Sequence, residues 1–331
     1  MAMAMEETEA SLRHCPLADG IPVVDLDLLV NGTADERLQA IQDIGRACRD
    51  WGLFMVINHG VPEALREAVM ATCKELFDLP PEEKAEYLEA APMDPIRIGS
   101  GFNAVVDGAR FWRDYVKMFA HPEFHCPAKP MELRDIAAEY AIKTRHMLLQ
   151  LATAISGSLG LDGGRLSEAL NLESCFHILV GNHYPPYAGR DGGDVGIGLP
   201  AHSDHGLLTL LHQNGVDGLE VEHGGRWLLA RPLPGAFFLI AGDQLEIVTN
   251  GRYRAPLHRA VVGRKRARMS FLSLISPCLD AVVEPLPEQV RDGRGREFRG
   301  VRYGDYLARQ QSTRLNGKAA LDMARVTTPD C

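Results

Sequence analysis

Three side chains with metal-ligand chemistry stand out in the 331-residue chain: His202 and Asp204 in LPAHSDHGLLTLL, and His258 in APLHRAVV. Successive side chains alternate faces on a strand, so His202 and Asp204 project together while Ser203 points away. A third ligand must come from a different strand, because three ligands on one strand cannot cap one face of an octahedron. Two imidazoles and a carboxylate on one face leave the opposite face open. That set suits non-haem Fe(II), which needs free positions for oxygen and a cosubstrate. Zinc is the chemical rival for the same donors. Arg268 and Ser270 follow in RARMSFLSLISP. Two apart on a strand, they point the same way. A guanidinium with a hydroxyl beside it can hold a carboxylate, and a zinc hydrolase has no need of that pair. Tyr184 in NHYPP offers a further donor. The order of these residues argues for an oxygen-activating iron enzyme that also binds an organic acid.

Other histidines read as structural. His205 alternates to the opposite face from the ligand pair. His205 and His212, and the loop cluster His121, His125 and Cys126, are assigned to packing or surface. His59 in NHGV ends a core strand with a backbone hydrogen bond.

The elements that must carry these groups follow from periodicity. Residues 1–20 read as a flexible tail. IPVVDLDLL (21–29) reads as a strand before the Asn31-Gly32 turn. A helix opens at Ala34 and runs to about Trp51, with Leu38, Ile41, Ile44 and Cys48 at helical spacing. LFMVINHGV is a buried strand, and a second helix spans about Leu65–Phe77. Residues 88–110, rich in Gly, Pro and Met, read as a covering loop. FWRDYVKMF (111–119) returns to strand character, with Tyr115, Lys117 and Phe119 on one face. A long helix runs from Met131 to about Leu159, with Tyr140, Met147, Leu148, Leu151 and Ile155 as its apolar stripe. After about residue 175, short apolar runs alternate with turns, and Gly224-Gly225 joins two of them as a hairpin. Asp243 and Asn250-Gly251 read as turn residues. Such spacing indicates an antiparallel sandwich or barrel. YGDYLARQQST, within 302–315, closes the pattern as a helix.

Composition narrows the class. With 46% hydrophobic and 24% charged residues the chain can build a sizeable core. A formal net charge of -9 excludes a broad electrostatic footprint for nucleic acid. No apolar run approaches the roughly 18 residues of a membrane span. MAMAMEETEASLRHC is too short and too acidic for a secretory leader. Seven cysteines without CxxC spacing fit a reducing compartment, so the expected location is cytoplasmic, as a monomer or weak dimer.

With HSD, LHRAVV, RMS, NHYPP, IPVVDL and WGLFMVINHGVP together, the chain resembles the plant-type 2-oxoglutarate/Fe(II)-dependent dioxygenases over roughly residues 20–310. The resemblance implies a mainly β fold with helices (α+β): a double-stranded β-helix, or jelly-roll, core with an N-terminal helical region. The expected organisation is a tail at 1–20, an N-terminal dioxygenase region at 21–125, a long helix and connection at 126–175, the jelly-roll core at 176–280, and a C-terminal helix and tail at 281–331. It implies Fe(II) on His202, Asp204 and His258, and 2-oxoglutarate on Arg268, Ser270 and Tyr184 with Asn182 nearby. O2 is the second cosubstrate and ascorbate the reductant in vitro. Phe102, Tyr115, Lys117, Val180, Leu274 and Ser276 are implied as the wall for a small-molecule substrate. His183 and Tyr187 depart from the family's usual residues, but neither touches the triad.

The implied reaction decarboxylates 2-oxoglutarate to succinate and carbon dioxide while a small specialised metabolite or hormone is hydroxylated or desaturated. Two alternatives stay open: an iron oxidase of the same fold that does not consume 2-oxoglutarate, and a non-catalytic small-ligand-binding relative. Lys117 has two readings: a partner for a substrate anion or phenol, or a rim lysine whose stem covers apolar surface.

Overall fold

The computed structural model describes residues 16–18, 20–88, 90–101, 111–187, 196–290, 295–312 and 317–326. Among these, the strands of the two main sheets are β1 (Val23–Asp25), β2 (Leu53–Ile57), β3 (Ile96–Ser100), β4 (Asp114–His121), β5 (Phe176–Tyr184), β6 (Gly196–His202), β7 (Leu208–Gln213), β8 (Leu219–His223), β9 (Arg226–Leu229), β10 (Phe237–Ala241), β11 (His258–Val262) and β12 (Arg268–Ser276). The helices that matter to the site are α1 (Leu26–Asn31), α2 (Ala34–Asp50), α3 (Glu63–Asp78), α4 (Met131–Ser158), α5 (Asp243–Val248) and α6 (Tyr303–Ser312).

The strands form two sheets of the expected jelly roll. The larger has the order β1-β2-β10-β7-β12-β5-β4-β3, and the smaller has the order β6-β11-β8-β9. One face of the larger sheet packs on helices. Phe271 and Leu179 point that way and are fully buried, and the Tyr140 ring of α4 meets Phe271 edge-on with centroids 5.2 Å apart. Tyr140, Met147, Leu148, Leu151 and Ile155, the stripe expected from sequence, are all buried. The opposite face carries the other alternation set. Ser270 lies opposite Asn182, and Leu272 opposite Val180.

Close approach of α3 to β5 depends on Gly181. A Cβ there would lie 2.3 Å from Cys73 Sγ. Polar bonds add direction to the same layer. His177 Nε2 donates to Ser273 Oγ at 2.7 Å, and Ser273 donates to Thr144 Oγ1 at 2.7 Å. Tyr140 OH donates to His212 Nδ1 at 3.0 Å, while His212 Nε2 donates to the Arg66 carbonyl. His212 is therefore a packing residue, as expected, and burial pushes both His177 and His212 down to about 3.

Two expected elements are corrected. Only Val23–Asp25 of the 21–29 segment is strand, because Asp25 accepts from the Asp27 amide at 3.0 Å and caps α1. The 88–110 loop contains β3, which takes its hydrogen bonds from β4; local composition hides a strand that exists only through its partner. The Gly224-Gly225 hairpin is as expected, both glycines having positive φ (58° and 75°).

Two outcomes test this packing. Gly181→Val should destabilise by about 1–3 kcal/mol through overpacking; an unchanged melting temperature would show that α3 does not press on β5. In the metal-free protein, acid should also weaken folding. Unfolded histidine titrates near its ordinary value of 6.5, whereas His177 and His212 accept protons only near 3 when folded. The unfolded chain binds protons first, so stability is fully present above 6.5 and falls toward 3, by about 1.4 kcal/mol per pH unit for each site. Urea unfolding at pH 7 and pH 5 should show the loss, and His177→Asn and His212→Asn should each make it shallower.

Candidate metal and cosubstrate site

The metal-ligand groups meet at the end of the smaller sheet. His258, at the start of β11, lies directly opposite His202, at the end of β6. Asp204 follows just past β6. Asp204 Oδ1 lies 3.7 Å from His202 Nε2 and 3.6 Å from His258 Nε2, and one ligand atom from each of the three lies within 4.8 Å of the others. Ligand bonds of about 2.0–2.2 Å bridge such gaps.

Backbone carbonyls select the ligand tautomers. His202 Nδ1 donates to the Pro200 carbonyl at 2.8 Å, and His258 Nδ1 donates to that of Pro256 at 3.2 Å. A carbonyl cannot donate, so each Nδ1 carries the proton and each Nε2 presents its lone pair. Burial, with His258 beside it, pushes His202 down to about 3 and keeps it neutral. Burial opposes the charge on Asp204, yet His258 and His202 hold the carboxyl below its usual range. Asp204 Oδ2 is buried without a hydrogen-bond partner among the described residues. Two imidazole nitrogens, a carboxylate held below its usual range and an orphaned oxygen fit a divalent cation.

The backbone behind Asp204 is braced. The Asp243 amide donates to the Asp204 carbonyl at 2.8 Å, and Asp243 Oδ2 accepts from Tyr306 OH at 2.7 Å. Asp243 was expected in a turn. It instead opens α5, almost fully buried, and burial pushes its carboxyl up to about 7.

The anion-binding candidates sit on the facing sheet. In the β5–β12 pair Arg268 lies opposite Tyr184, and Ser270 lies opposite Asn182. Arg268 is 2% exposed. It donates from Nη2 to Gln213 Oε1 at 2.9 Å and lies 5.1 Å from the Tyr184 ring centroid. Its Nε is buried without a partner among the described residues. Asn182 Nδ2 donates to Ser270 Oγ at 3.2 Å. Two glycines make the room: a Cβ on Gly218 would fall 2.7 Å from Arg268 Cδ, and one on Gly198 would fall 2.5 Å from Tyr184 Cδ1. A buried cation with an unused donor fits an anionic cosubstrate.

Between the sheets is a cavity lined by His202, Asp204 and Asn182. Tyr115, Lys117, Val180 and Leu274, which the resemblance implies as substrate wall, also line it. Ser276 does not. It is fully buried near Gly206, where a glycine Cβ would sit 2.7 Å from its Oγ. Phe102 lies outside the described residues. His205 was expected on the opposite face, but β6 ends at His202, alternation stops there, and His205 lines the cavity. Sequence reading also missed Arg97, Arg113, Gln310 and Gln311 on the wall. Arg113 had a signal, since it continues the every-second-residue series of Tyr115 and Lys117. Arg113 Nε donates to Asn182 Oδ1 at 2.8 Å. A larger depression of about 790 Å³, lined by Arg66, His212 and Arg231, contains none of the three ligands.

Comparison with known proteins agrees with this geometry. Residues 21–137 match the N-terminal region described as that of a non-haem dioxygenase in morphine synthesis, and residues 175–277 match the 2OG-Fe(II) oxygenase superfamily. The chain is 70% identical, over 93% of its length and 91% of the relative's, to 2-oxoglutarate-dependent dioxygenase 19 of Oryza sativa subsp. japonica. It belongs to the 2-oxoglutarate/Fe(II)-dependent dioxygenases. Flavanone 3-dioxygenase 2 of Oryza sativa subsp. japonica is 36% identical, over 92% of this chain and 87% of its own. The crystal structure of JOX2 in complex with 2OG, Fe and JA is similar with a TM-score of 0.83, at 27% identity, covering 93% of this chain and 89% of that one. A rice dioxygenase for auxin oxidation has a TM-score of 0.75 at 25% identity, covering 92% and 100%. The dioxygenase therefore uses Fe(II) and 2-oxoglutarate. Among its described residues no helix is long and apolar enough to cross a membrane.

Asp204→Asn removes the one charge among the ligands while keeping their shape. Its Mn(II) affinity, measured by calorimetry, should fall about tenfold or more, roughly 1.4 kcal/mol. Unchanged affinity would remove Asp204 from the ligand set.

Proposed function

We propose that this dioxygenase hydroxylates a small specialised metabolite or hormone, with His202, Asp204 and His258 holding the iron and Arg268, Ser270 and Tyr184 holding the distal carboxylate of 2-oxoglutarate. The carrying observation is the pairing of Arg268 with Tyr184 and of Ser270 with Asn182 on the sheet that faces the triad. A guanidinium, a hydroxyl and a phenol on adjacent strands make a donor set for one carboxylate at a fixed place. When bound, iron and 2-oxoglutarate supply the oxidising power, the acid leaving as succinate and carbon dioxide while O2 provides the inserted oxygen.

The protein's own residues position and exclude. The Pro200 and Pro256 carbonyls keep both imidazoles aimed at one point. Gln213 steers Arg268 by accepting from one end of its guanidinium. Ile178, Val180, Leu272 and Leu274 present apolar surface to a substrate and limit water near the reacting C–H bond. The names of the relatives, a flavanone dioxygenase and an oxygenase crystallised with JA, support a substrate of metabolite size. Desaturation is the second outcome of the same hydrogen abstraction. The Arg268 donor set favours consumption of 2-oxoglutarate over an oxidase that uses another reductant.

Arg268→Gln should raise the KM for 2-oxoglutarate by about tenfold to a hundredfold, the loss of a charged hydrogen bond of roughly 1.5–3 kcal/mol. Anaerobic mixing of Fe(II) and 2-oxoglutarate with the parent protein should give a weak visible absorption band. An unchanged KM in Arg268→Gln would remove Arg268 from the cosubstrate site. Substrate loss without succinate release would support the oxidase reading instead.

A further inference from the structure

Three cations share the cavity wall with the oxygenase site. The β3–β4 register puts Arg97 directly opposite Lys117, and Gly99 opposite Tyr115. Alternation brings Arg113 to the same side, just ahead of β4. The guanidinium carbons of Arg97 and Arg113 lie 5.8 and 4.7 Å from the Tyr115 ring centroid. Like charges directly across a strand pair are destabilising, and burying a cation without a partner is costly. Among the described residues, none of the three makes an ion pair with a carboxylate. Among the described residues Asp204 is the only acid on the cavity wall, and it belongs to the metal set. Asp94 attracts Lys117 and Asp114 attracts Arg113 without forming an ion pair, and Asp114 already accepts from Ser100 Oγ at 2.6 Å and faces His183 Nδ1 at 3.9 Å. Lys117 Nζ donates to the Pro92 carbonyl, a neutral group. Burial, and then Arg97, pulls Lys117 down to about 8, as expected for a charge that lacks a counter-ion.

The cosubstrate does not account for this cluster. 2-Oxoglutarate has its own cation in Arg268, beside Gln213 on β7. Arg97 and Lys117 lie beyond Asn182 and Val180, toward the β3 edge of the sheet. Apolar side chains lie along the same wall, with Val180 opposite both Lys117 and Leu272 in the register.

We propose that the primary substrate is a small organic carboxylate, its anion held by Arg97, Lys117 and Arg113 and its apolar body lying along Val180, Leu272 and Leu274. The assignment rests on the oxygenase reading above and adds the substrate class. The anion supplies the counter-charge that the described residues do not, and it fixes which C–H bond faces the triad. Neutral isosteres lack that anchor and are disfavoured.

The test uses protein loaded with Mn(II) and 2-oxoglutarate, and calorimetric titration with phenylacetate, 3-phenylpropionate and octanoate, each beside its methyl ester. At least one acid should bind about tenfold or more tightly than its ester. Arg97→Met and Lys117→Met should erase the preference, and Lys117→Arg should retain it. Without substrate, both Met variants should melt at the same or a higher temperature, because repulsion is relieved. Equal binding of acids and esters by the parent, or no binding by any acid, overturns the proposal. So does a preference that survives both Met substitutions, or a loss in those variants that falls on 2-oxoglutarate affinity instead. The anaerobic Fe(II) and 2-oxoglutarate absorption band of the parent reports separately on the oxygenase reading. Its presence without acid preference removes the carboxylate site and leaves the oxygenase intact.

Discussion

In the antiparallel pair β6–β11, His202 and His258 face each other across one rung of the ladder, and the rest of the site is arranged around that rung. Backbone hydrogen bonds hold the two Cα atoms together before any metal arrives. Two proline carbonyls orient the rings, and the end of β6 lets Asp204 turn in beside them. The arrangement brings two imidazole nitrogens and a carboxylate close together where little water can screen them. Asp204 stays ionised there because the histidines favour its charge more than burial opposes it. The site is thus a carboxylate beside two imidazole nitrogens, and a divalent cation completes its charge balance.

The larger sheet answers with the opposite sign. The alternation set on the face opposite the helices runs from Arg268 and Ser270 on β12, through Tyr184 and Asn182 on β5, to Tyr115 and Lys117 on β4 and Arg97 on β3. Register alone decides which of these side chains meet, since a slip of one residue would send all of them into the helical layer. The helices in turn hold the register, through Phe271 and Leu179 packed on the far face and through the His177–Ser273–Thr144 bonds. Packing therefore occupies one side of the sheet, and the polar and charged set occupies the other. That side carries Arg97, Lys117 and Arg113 without an ion pair among the described residues, which is the physical ground for the proposed carboxylate site.

The braced carbonyl of Asp204 shows how far the site extends beyond its ligands. Asp243 and Tyr306 come from α5 and α6, well separated in sequence, and meet behind the metal set. A carboxyl raised to about 7 by burial is costly to keep charged, so its bonds to neighbours matter to the shape of that loop.

Residue type and spacing determined a good deal by themselves. HxD followed by a distant strand histidine named the three side chains that the fold brings together, RxS named the cation and hydroxyl on the facing sheet, and period-two runs after residue 175 indicated the jelly roll. The 3.6-residue stripe of α4 named its buried face. These signals are local, because alternation and helical periodicity are written within a few residues of chain. Tertiary structure alone decided what depends on partners. β3 exists because β4 offers it hydrogen bonds, and α1 begins because one aspartate turns back to cap it. His205 reaches the cavity because β6 ends at His202, before alternation extends to it, and Asp243 is buried where Tyr306 of α6 bonds to it. Arg97 is invisible as a site residue until the β3–β4 register sets it against Lys117. Spacing along the chain reports direction on one strand, whereas the meeting of charges across strands is set by pairing, and pairing is a property of the folded whole.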